Sequence, residues 1–390
     1  MPAETRSSDA VLAVLEPLIG FATVSSESNR PLIDHAAALL RDLRADVEVV
    51  PSPDGAKASL WATIGPKIDG GVVLAGHSDV VPVAGQDWTS PPFAMEVRGS
   101  RAYGRGVADM KGFIACALAS APRLIAMNLK KPIHIALTYD EEVGCIGAPL
   151  LLRWLGEQGV KPEIAFIGEP TLMQVVNAHK GITVARTTLH GVEAHSSLAH
   201  KGVSAVGLAA QCIVLLIEME AELAATRTNM DFLPAHTTIS ANTIQGGTAV
   251  NILAGEAVFE WNVRPIPGDD ANAIIARFEA EAERRILGPL RDRFPTVALS
   301  TEIVANAPAL VPEVEGRAES LAKQLARTNS AIAVPYAAEA GQFQNAGLSA
   351  VIIGPGSIEQ AHKGDEWVEL DQLSACAAFI ERLGEHLSAA

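Results

Sequence analysis

The chain has 390 residues, which is enough for two domains or for one large α/β unit with an insertion. Its composition, 48% apolar and 19% charged, is that of an ordinary folded protein and excludes an intrinsically disordered one. A net charge of −15 argues against a nucleic-acid or anionic-membrane surface.

The N-terminal residues lack the basic start and apolar run of a signal peptide. The longest mostly apolar run, residues 203–217, is too short to span a bilayer. The four cysteines show no C-x-x-C spacing and are expected to be reduced, buried thiols. We therefore expect a cytoplasmic protein that has no membrane or nucleic-acid partner.

In chain order, the first half alternates predicted helices and apolar strands. Apolar residues at three- and four-residue spacing predict two helices between residues 9 and 44, with a loop near residues 23–28. Short strands are predicted at 47–50, 59–64, 72–75, 133–138 and 163–167, with a long loop at 82–105 and helices at 111–126 and 148–158. Pro122 is expected to kink or shorten the first of these helices. Strands separated by helices predict right-handed βαβ crossovers and a mostly parallel sheet.

The pattern changes after residue 181. Alternating apolar and polar residues at 182–189, 236–244 and 256–264 predict strands with one solvent-exposed face. Helices are predicted among them, at 203–223 and 270–285, and this order predicts a small α+β domain inserted into the larger one. The first pattern returns with a helix at 314–329 and a strand at 349–353. The predicted domains are therefore 1–181 and 304–390, which together form the catalytic domain, and 182–303, the insertion.

Several predicted strands end at or near side chains that can bind a metal ion. His77 follows one strand, the pair Glu141 and Glu142 follows a second, Glu169 follows a third, and His362 lies beyond a fourth. Ligands in open α/β sheets bind at the carboxyl ends of strands, so these residues are expected to converge. Each residue alone has an ordinary structural explanation, such as a helix start or a turn. Their recurrence at strand ends favours a site.

Asp109 adds a further carboxylate, in a glycine-rich turn ahead of a predicted helix, where it could also be only an N-cap. Crowded acids raise each other's pKa unless a cation lies between them. Two histidines with several carboxylates suit zinc, or cobalt or manganese, better than magnesium or calcium. Two metal ions that share one carboxylate would leave one of Glu141 and Glu142 as the general base. Asp79 could hold the ring of His77 in place.

Two other catalytic motifs are excluded by single residues. A dinucleotide fingerprint that starts at Gly104 would need glycine at position 109, where the chain has Asp109. A nucleophile elbow around Ser78 would need glycine at position 80, where the chain has Val80. No P-loop is present.

These residues, in this order, resemble the dinuclear zinc amidohydrolases and peptidases, a family that includes deacetylases, desuccinylases, aminoacylases and carboxypeptidases. The resemblance extends from about Leu15 to Leu383 and rests on segments such as Gly-His-Ser-Asp-Val-Val-Pro and Gly-Arg-Gly-Val-Ala-Asp-Met-Lys-Gly. It implies a zinc-exopeptidase-like α/β fold, in which the insertion is a lid and dimerisation domain. It also implies two divalent metal ions, most simply zinc.

The resemblance also assigns roles to the metal-site residues. It implies that Asp109 bridges both ions and that the other ligands are His77, Glu142, Glu169 and His362. It implies that Asp79 orients His77 and that Glu141 is the general base, an order that the residues alone left open.

Three further residues gain roles by the same resemblance, and a fourth gains one from a match of charge. His195, in Gly-Val-Glu-Ala-His-Ser-Ser, matches a histidine that crosses to the partner subunit and stabilises the tetrahedral intermediate; otherwise it only caps a helix. Asn251 matches a substrate contact, and Arg264 matches an arginine that binds the substrate's α-carboxylate. Glu339 is predicted to meet the side-chain ammonium of ornithine, although its neighbour Ala338 replaces a threonine that is common in deacetylases.

Within the family, the segments around Glu169, Glu339 and His362 are most similar to acetylornithine deacetylases. The resemblance therefore implies hydrolysis of N2-acetyl-L-ornithine to acetate and L-ornithine, a step of arginine biosynthesis, by a homodimer. The alternatives are a different N-acyl-amino-acid amidohydrolase, such as succinyl-diaminopimelate desuccinylase, or a carboxypeptidase. A non-catalytic binding protein on the same fold would have lost Glu141 or a ligand, and none is lost here.

Overall fold

The computed structural model describes residues 7–389. The first six residues and the last lie outside the described part, as does the start of the predicted segment 1–181. The helices are α1 (Ser7–Gly20), α2 (Arg30–Asp42), α3 (Lys111–Ala126), α4 (Gly147–Gln158), α5 (Ala205–Thr226), α6 (Ala271–Ala282), α7 (Gly288–Arg291), α8 (Arg317–Ala326), α9 (Ala340–Asn345) and α10 (Leu370–Ala389).

The strands are β1 (Asp46–Pro51), β2 (Ala58–Ile64), β3 (Val72–His77), β4 (Glu96–Arg98), β5 (Arg101–Tyr103), β6 (Ile133–Thr138), β7 (Ile164–Ile167), β8 (Val176–His179), β9 (Ile182–His190), β10 (Thr238–Gly246), β11 (Glu256–Arg264), β12 (Ala298–Ala307), β13 (Ile332–Val334), β14 (Ser349–Ile352) and β15 (Trp367–Glu369). A short 3-10 helix covers Ser196–Lys201, and a π-helical turn at Glu283–Leu287 follows α6.

The chain divides into two compact units. The first contains the residues up to Ala178, Leu310–Ala333 and the residues from Ala338 onward; the second contains His179–Ala309 and Val334–Ala337. The predicted domain boundaries, and the role of the insertion as a lid and dimerisation domain, stay predictions.

The first unit is built on an eight-stranded sheet of order β1-β2-β6-β3-β7-β14-β8-β13. Its centre is parallel, because β6, β3, β7 and β14 pair in the same direction, while β1 and β2 are antiparallel additions. Every residue of β3, β6 and β14 is buried, as expected for continuous apolar strands that are covered on both faces. Helices flank the sheet in two groups, α1, α2, α3, α8 and α10 in one and α4 and α9 in the other. This confirms the predicted α/β class with a mostly parallel sheet.

The second unit is a four-stranded antiparallel sheet of order β10-β11-β9-β12. The chain order β9-α5-β10-β11-α6-β12 is βαββαβ. Alternate residues of β9 and β11 are buried, and they form one apolar core with the inward faces of α5 and α6. The unit therefore has the α+β organisation that the sequence predicts.

Two local details bear on the expectations. Pro122 lies inside α3 and does not shorten it, because the helix continues to Ala126, with buried residues on either side of the proline. The predicted loop at 82–105 contains the hairpin β4–β5, which pairs with β15 in a separate three-stranded sheet. Among the described residues, none of the helices combines the length and apolar character needed to cross a bilayer.

Candidate metal centre

The carboxyl ends of the central strands bring the predicted ligands together, all of them in the first unit. His77 is the last residue of β3, and Glu141 and Glu142 follow β6 after a two-residue turn. Glu169 comes two residues after β7, and His362 lies in the loop after β14. Because these strands are parallel, their ends meet at one edge of the sheet.

Asp109 lies between the two histidines and offers one carboxylate oxygen to each. Its Oδ1 is 3.0 Å from Nε2 of His77, and its Oδ2 is 3.2 Å from Nε2 of His362. The loop before α3 holds Asp109 in this position, and the carboxylate is almost fully buried. A carboxylate shared in this way is the arrangement that a bridging ligand requires.

Glu142 and Glu169 lie at opposite ends of the cluster, beside His362 and His77 respectively. Glu142 Oε2 is 3.0 Å from Nε2 of His362, and Glu169 Oε1 is 4.0 Å from Nε2 of His77. Glu169 Oε1 is buried and has no hydrogen-bond partner among the residues that the structure describes. A buried carboxylate oxygen without a donor is costly, so this oxygen is suited to a cation.

The electrostatics of the cluster also favour a cation. Burial, together with the negative charge of Asp109 and its neighbours, raises the pKa of Glu141 and of Glu169 well above the usual range and raises the pKa of Glu142. Burial acts to lower the pKa of His77, but the hydrogen bond to Asp109 and the nearby carboxylates outweigh it and the pKa lies well above the usual value. Divalent cations would relieve this crowding of negative charge.

The donor set fits divalent metal ions with nitrogen and oxygen preferences. Two groups have ligand atoms that all lie within 4.8 Å of one another: His77 with Glu141 and Glu169, and His77 with Asp109 and Glu142. Imidazole with carboxylate is the chemistry of zinc, cobalt and manganese sites. Glu141 belongs to the first group, so distance alone does not separate a ligand role from a general-base role for this residue.

Asp79 contacts the cluster in a way that the sequence only partly predicts. The ring of His77 is held through Nδ1 by the backbone carbonyl of Asp79 at 2.8 Å, while the carboxylate Oδ1 is 3.6 Å away. The carboxylate instead accepts the backbone N–H groups of Glu141 and Glu142, at 3.1 and 3.3 Å, and the hydroxyl of Ser25 at 2.7 Å. Asp79 therefore fixes His77 through its main chain and the glutamate pair through its side chain.

Glu339 lies at the carboxyl end of β6, where its side chain is 1% exposed. Its Oε2 accepts the hydroxyl of Thr138 at 2.9 Å, and its Oε1 has no hydrogen-bond partner within the described part of the chain. Burial raises the pKa of this carboxyl to about 7. Sequence reasoning missed Thr138 and Ser25, since a hydroxyl in a strand or loop carries no local signal of the distant acid that it contacts.

The other predicted site residues belong to the second unit. The exposed His195 precedes the short 3-10 helix and caps it, because its Nδ1 accepts the backbone N–H of Ser197 at 3.2 Å. The backbone carbonyl of Asn251 accepts the N–H of Ser196 at 2.9 Å, so the segments of His195 and Asn251 lie side by side. Arg264 is the last residue of β11.

Comparison with known proteins assigns the chain to a family. Residues 73–386 match the model of peptidase family M20/M25/M40. The chain belongs to this family. Among curated relatives, the acetylornithine deacetylase of Myxococcus xanthus is 34% identical over 385 residues, 97% of both chains. That of Photorhabdus laumondii subsp. laumondii is 31% identical over 379 residues, 96% of this chain and 94% of the relative.

Solved structures of the same family share the fold. An M20 family metallo-carboxypeptidase from Sulfolobus solfataricus aligns with a TM-score of 0.76 at 16% identity, covering 97% of this chain and 99% of its own. A dinuclear metal binding peptidase of the M20 family from Bacillus subtilis aligns with a TM-score of 0.68 at 17% identity, covering 97% of both chains. The chain is therefore a metal-dependent hydrolase of the M20 family, and its curated relatives include deacetylases.

Proposed function

We propose that this M20 hydrolase cleaves the amide bond of N2-acetyl-L-ornithine to give acetate and L-ornithine, with two divalent metal ions, most simply zinc. The observation that carries the chemistry is the position of Asp109, with one oxygen on His77 and the other on His362. The choice of substrate is supported by the curated acetylornithine deacetylases that are 31% and 34% identical over nearly the whole chain.

His77, Asp109 and Glu169 would hold one ion, and Asp109, Glu142 and His362 would hold the other. When bound, such a pair polarises a carbonyl group and lowers the pKa of water. Glu141 would accept a proton on its carboxylate during attack and return it to the nitrogen of the leaving amine. The hydrogen bonds from the backbone of Glu141 and Glu142 to Asp79 keep this base beside the ligands.

Substrate recognition is assigned to three residues that the family resemblance singles out and to Glu339, which is chosen for its charge. Arg264 would bind the α-carboxylate by paired hydrogen bonds, and Asn251 would contact the acyl-amino acid. His195 of a partner copy would donate to the developing oxyanion. Glu339 would meet the ammonium group of ornithine, and its unpartnered Oε1 supports this assignment. The charge match is the reason to choose ornithine over uncharged amino acids.

A homodimer formed through the second unit is part of the proposal. Helix α5 carries exposed apolar residues, with Val214 and Ile217 exposed by 54% and 61%. Strand β10 is an edge of the sheet, so its outward backbone groups are available for pairing. An apolar helix face beside a sheet edge is suited to contact with a second copy.

A substrate panel tests the proposal. Acetylornithine, succinyl-diaminopimelate, acetylmethionine and a dipeptide are compared by kcat/KM, and we expect acetylornithine to be hydrolysed best. A strong chelator should abolish the activity, and zinc or cobalt should restore it. Preference for another substrate would refute the choice of ornithine, while activity that survives the chelator would refute the metal centre.

A further inference from the structure

Glu366 is a fully buried carboxylate that contacts the loop carrying Asp109, although it lies far from that loop in sequence. Its Oε1 accepts the backbone N–H groups of Ala108 and Asp109 at 2.9 and 3.1 Å. Its Oε2 accepts the N–H of Gly106 at 3.0 Å and the guanidinium of Arg105 at 2.7 Å. The carboxylate is 1% exposed, and each of its oxygens accepts two donors.

The same network reaches the loop that carries His362. The Arg105 guanidinium also donates to the side-chain oxygen of Gln86, and Nε2 of Gln86 donates to the backbone carbonyl of His362 at 3.0 Å. The network Glu366–Arg105–Gln86–His362 thus closes a ring, because Glu366 follows His362 by four residues. Gly364 belongs to the segment that joins His362 to Glu366, and a Cβ at this position would come within 1.8 Å of the backbone carbonyl of Asp87.

We propose that Glu366 is a positioning residue, which sets the separation between Asp109 and His362 through this network and thereby sets the metal affinity of the site. The inference rests on the proposed metal centre. Buried ion pairs are weak contributors to stability, because desolvation of the two charges offsets their attraction. Acceptance of three backbone donors within residues 106–109, by contrast, fixes the path of a loop. The loop in question carries the residue that both predicted metal positions share.

Replacement of Glu366 by glutamine keeps the shape of the side chain but replaces one acceptor oxygen with an NH2 group, which donates. In either orientation the glutamine NH2 group would face two donors, the N–H groups of Ala108 and Asp109 or those of Gly106 and Arg105. The loop must then move away from at least one side of residue 366. Loss of an outer residue that orients metal ligands typically costs about 10- to 100-fold in metal affinity.

The test measures metal affinity directly, by competition of zinc with a chromophoric chelator, on the full-length wild type and the Glu366→Gln variant. Glu369→Gln is the matched control, since it removes the same charge three residues away, from a half-exposed pair in which Arg101 Nε donates to Glu369 at 2.7 Å. We expect Glu366→Gln to weaken zinc binding by about 10- to 100-fold and Glu369→Gln to leave it unchanged. The midpoint of thermal unfolding is measured on the metal-free forms.

The second variant, Gln86→Ala, keeps the test valid if Glu366→Gln does not fold. Gln86 is only half-buried. Its loss should release the His362 loop and weaken the binding of one zinc ion more than that of the other. Wild-type zinc affinity in both variants would overturn the proposal. So would a lower metal-free unfolding midpoint with no change in affinity, which is the result of a purely structural role. A wild type that binds two zinc ions but does not cleave acetylornithine would refute the proposed function and leave this inference intact.

Discussion

Asp109 and Glu141 show how neighbouring acids in one cluster gain different roles from their contacts. The carboxylate of Asp109 contacts both His77 and His362. These hydrogen bonds overcome the effect of burial and hold the pKa of Asp109 well below the usual range. Glu141 lies near His77, but its described side-chain hydrogen bond is with the thiol of Cys145 at 3.3 Å. Glu169 likewise accepts no hydrogen bond from a histidine among the described contacts, so the choice of Glu141 as the group that accepts and returns a proton rests on the family resemblance.

Glu141→Gln should therefore separate catalysis from metal binding. We expect kcat on acetylornithine to fall by about 100- to 10,000-fold, the usual contribution of a general base, while zinc content stays at the wild-type level. Steady-state kinetics and metal analysis of the purified variant measure both quantities. Glu142→Gln is the comparison, and it should lose metal as well as activity. If Glu141→Gln also lost metal, Glu141 would be a ligand.

Local sequence identified the residues of the site but not the contacts that arrange them. Strand ends that carry His77 and Glu169 are visible as apolar runs followed by ligand types, so their convergence was predictable. Glu366, Ser25 and Thr138 were not, because a buried polar residue is identified only by partners that lie 54 to 261 positions away. The order of Glu141 and Glu142 came from the family resemblance alone.

At the scale of elements, the apolar strands were predictable and the short polar ones were not. Strands β3 and β6 have continuous apolar sequences, whereas β4 and β5 are three residues long and mostly polar or exposed. Strand β12, which pairs with β9, has mostly exposed or half-buried residues, so its sequence carries little apolar pattern from which a strand could be predicted. No element was predicted at the position of α10, although the inward residues of this helix are buried in the same core as α1 and α3.

The junction between β7 and Glu169 depends on a glycine. A Cβ on Gly168 would lie 2.0 Å from the ring of Phe113, which is buried in α3. Gly168→Ala should displace the ring or the strand end and destabilise the protein by about 1–3 kcal/mol, with weaker zinc binding because Glu169 moves.

Gly156→Ala is the control for this substitution. Gly156 lies in α4 with open space around its Cβ position, so alanine there should be neutral or stabilising by up to about 1 kcal/mol. Urea unfolding of both variants in the metal-free state measures the difference. Equal stability of the two variants would show that the Phe113 ring yields without cost.

Strand β6 also carries a buried histidine that makes stability depend on pH. The ring of His134 stacks on Trp61 with centroids 4.6 Å apart, and Nδ1 is 3.0 Å from the hydroxyl of Thr63. Burial lowers the pKa of His134 from 6.5 to about 4. On this histidine, the unfolded chain therefore binds a proton near pH 6.5, whereas the folded chain binds one only near pH 4. Stability is lost as the pH falls through this window.

The His134→Gln variant isolates this contribution, because the metal-site acids titrate equally in both proteins. Wild type should be the more stable at about pH 7.5, and its advantage should shrink by about 2 kcal/mol at about pH 5. Urea unfolding at the two pH values measures the change in the gap. The half-exposed His190, replaced by glutamine, should give a gap that changes far less. A constant gap for His134→Gln would contradict the assignment.

At the scale of the whole molecule, the proposed dimer makes a prediction about mass in solution. Val214→Glu combined with Ile217→Glu places two charges on the exposed face of α5, where desolvation would oppose association. Sedimentation should show the wild type as a dimer and this variant as a monomer. Val97→Glu, a change at a 48% exposed position in the first unit, should remain dimeric. A wild type that sediments as a monomer would refute the dimer.

The role proposed for His195 can be tested by mixing inactive subunits. If His195 serves the metal centre of its partner, a hybrid of one His195→Ala chain and one Glu141→Gln chain contains one centre with both residues intact. Random re-association of equal amounts would then restore about a quarter of wild-type activity, because half of the dimers are hybrids with one good centre of two. Each variant alone should stay nearly inactive. If His195 serves its own chain, every centre in the hybrid lacks one residue, so mixtures that gain no activity after subunit exchange, verified by mass spectrometry, would refute action in trans.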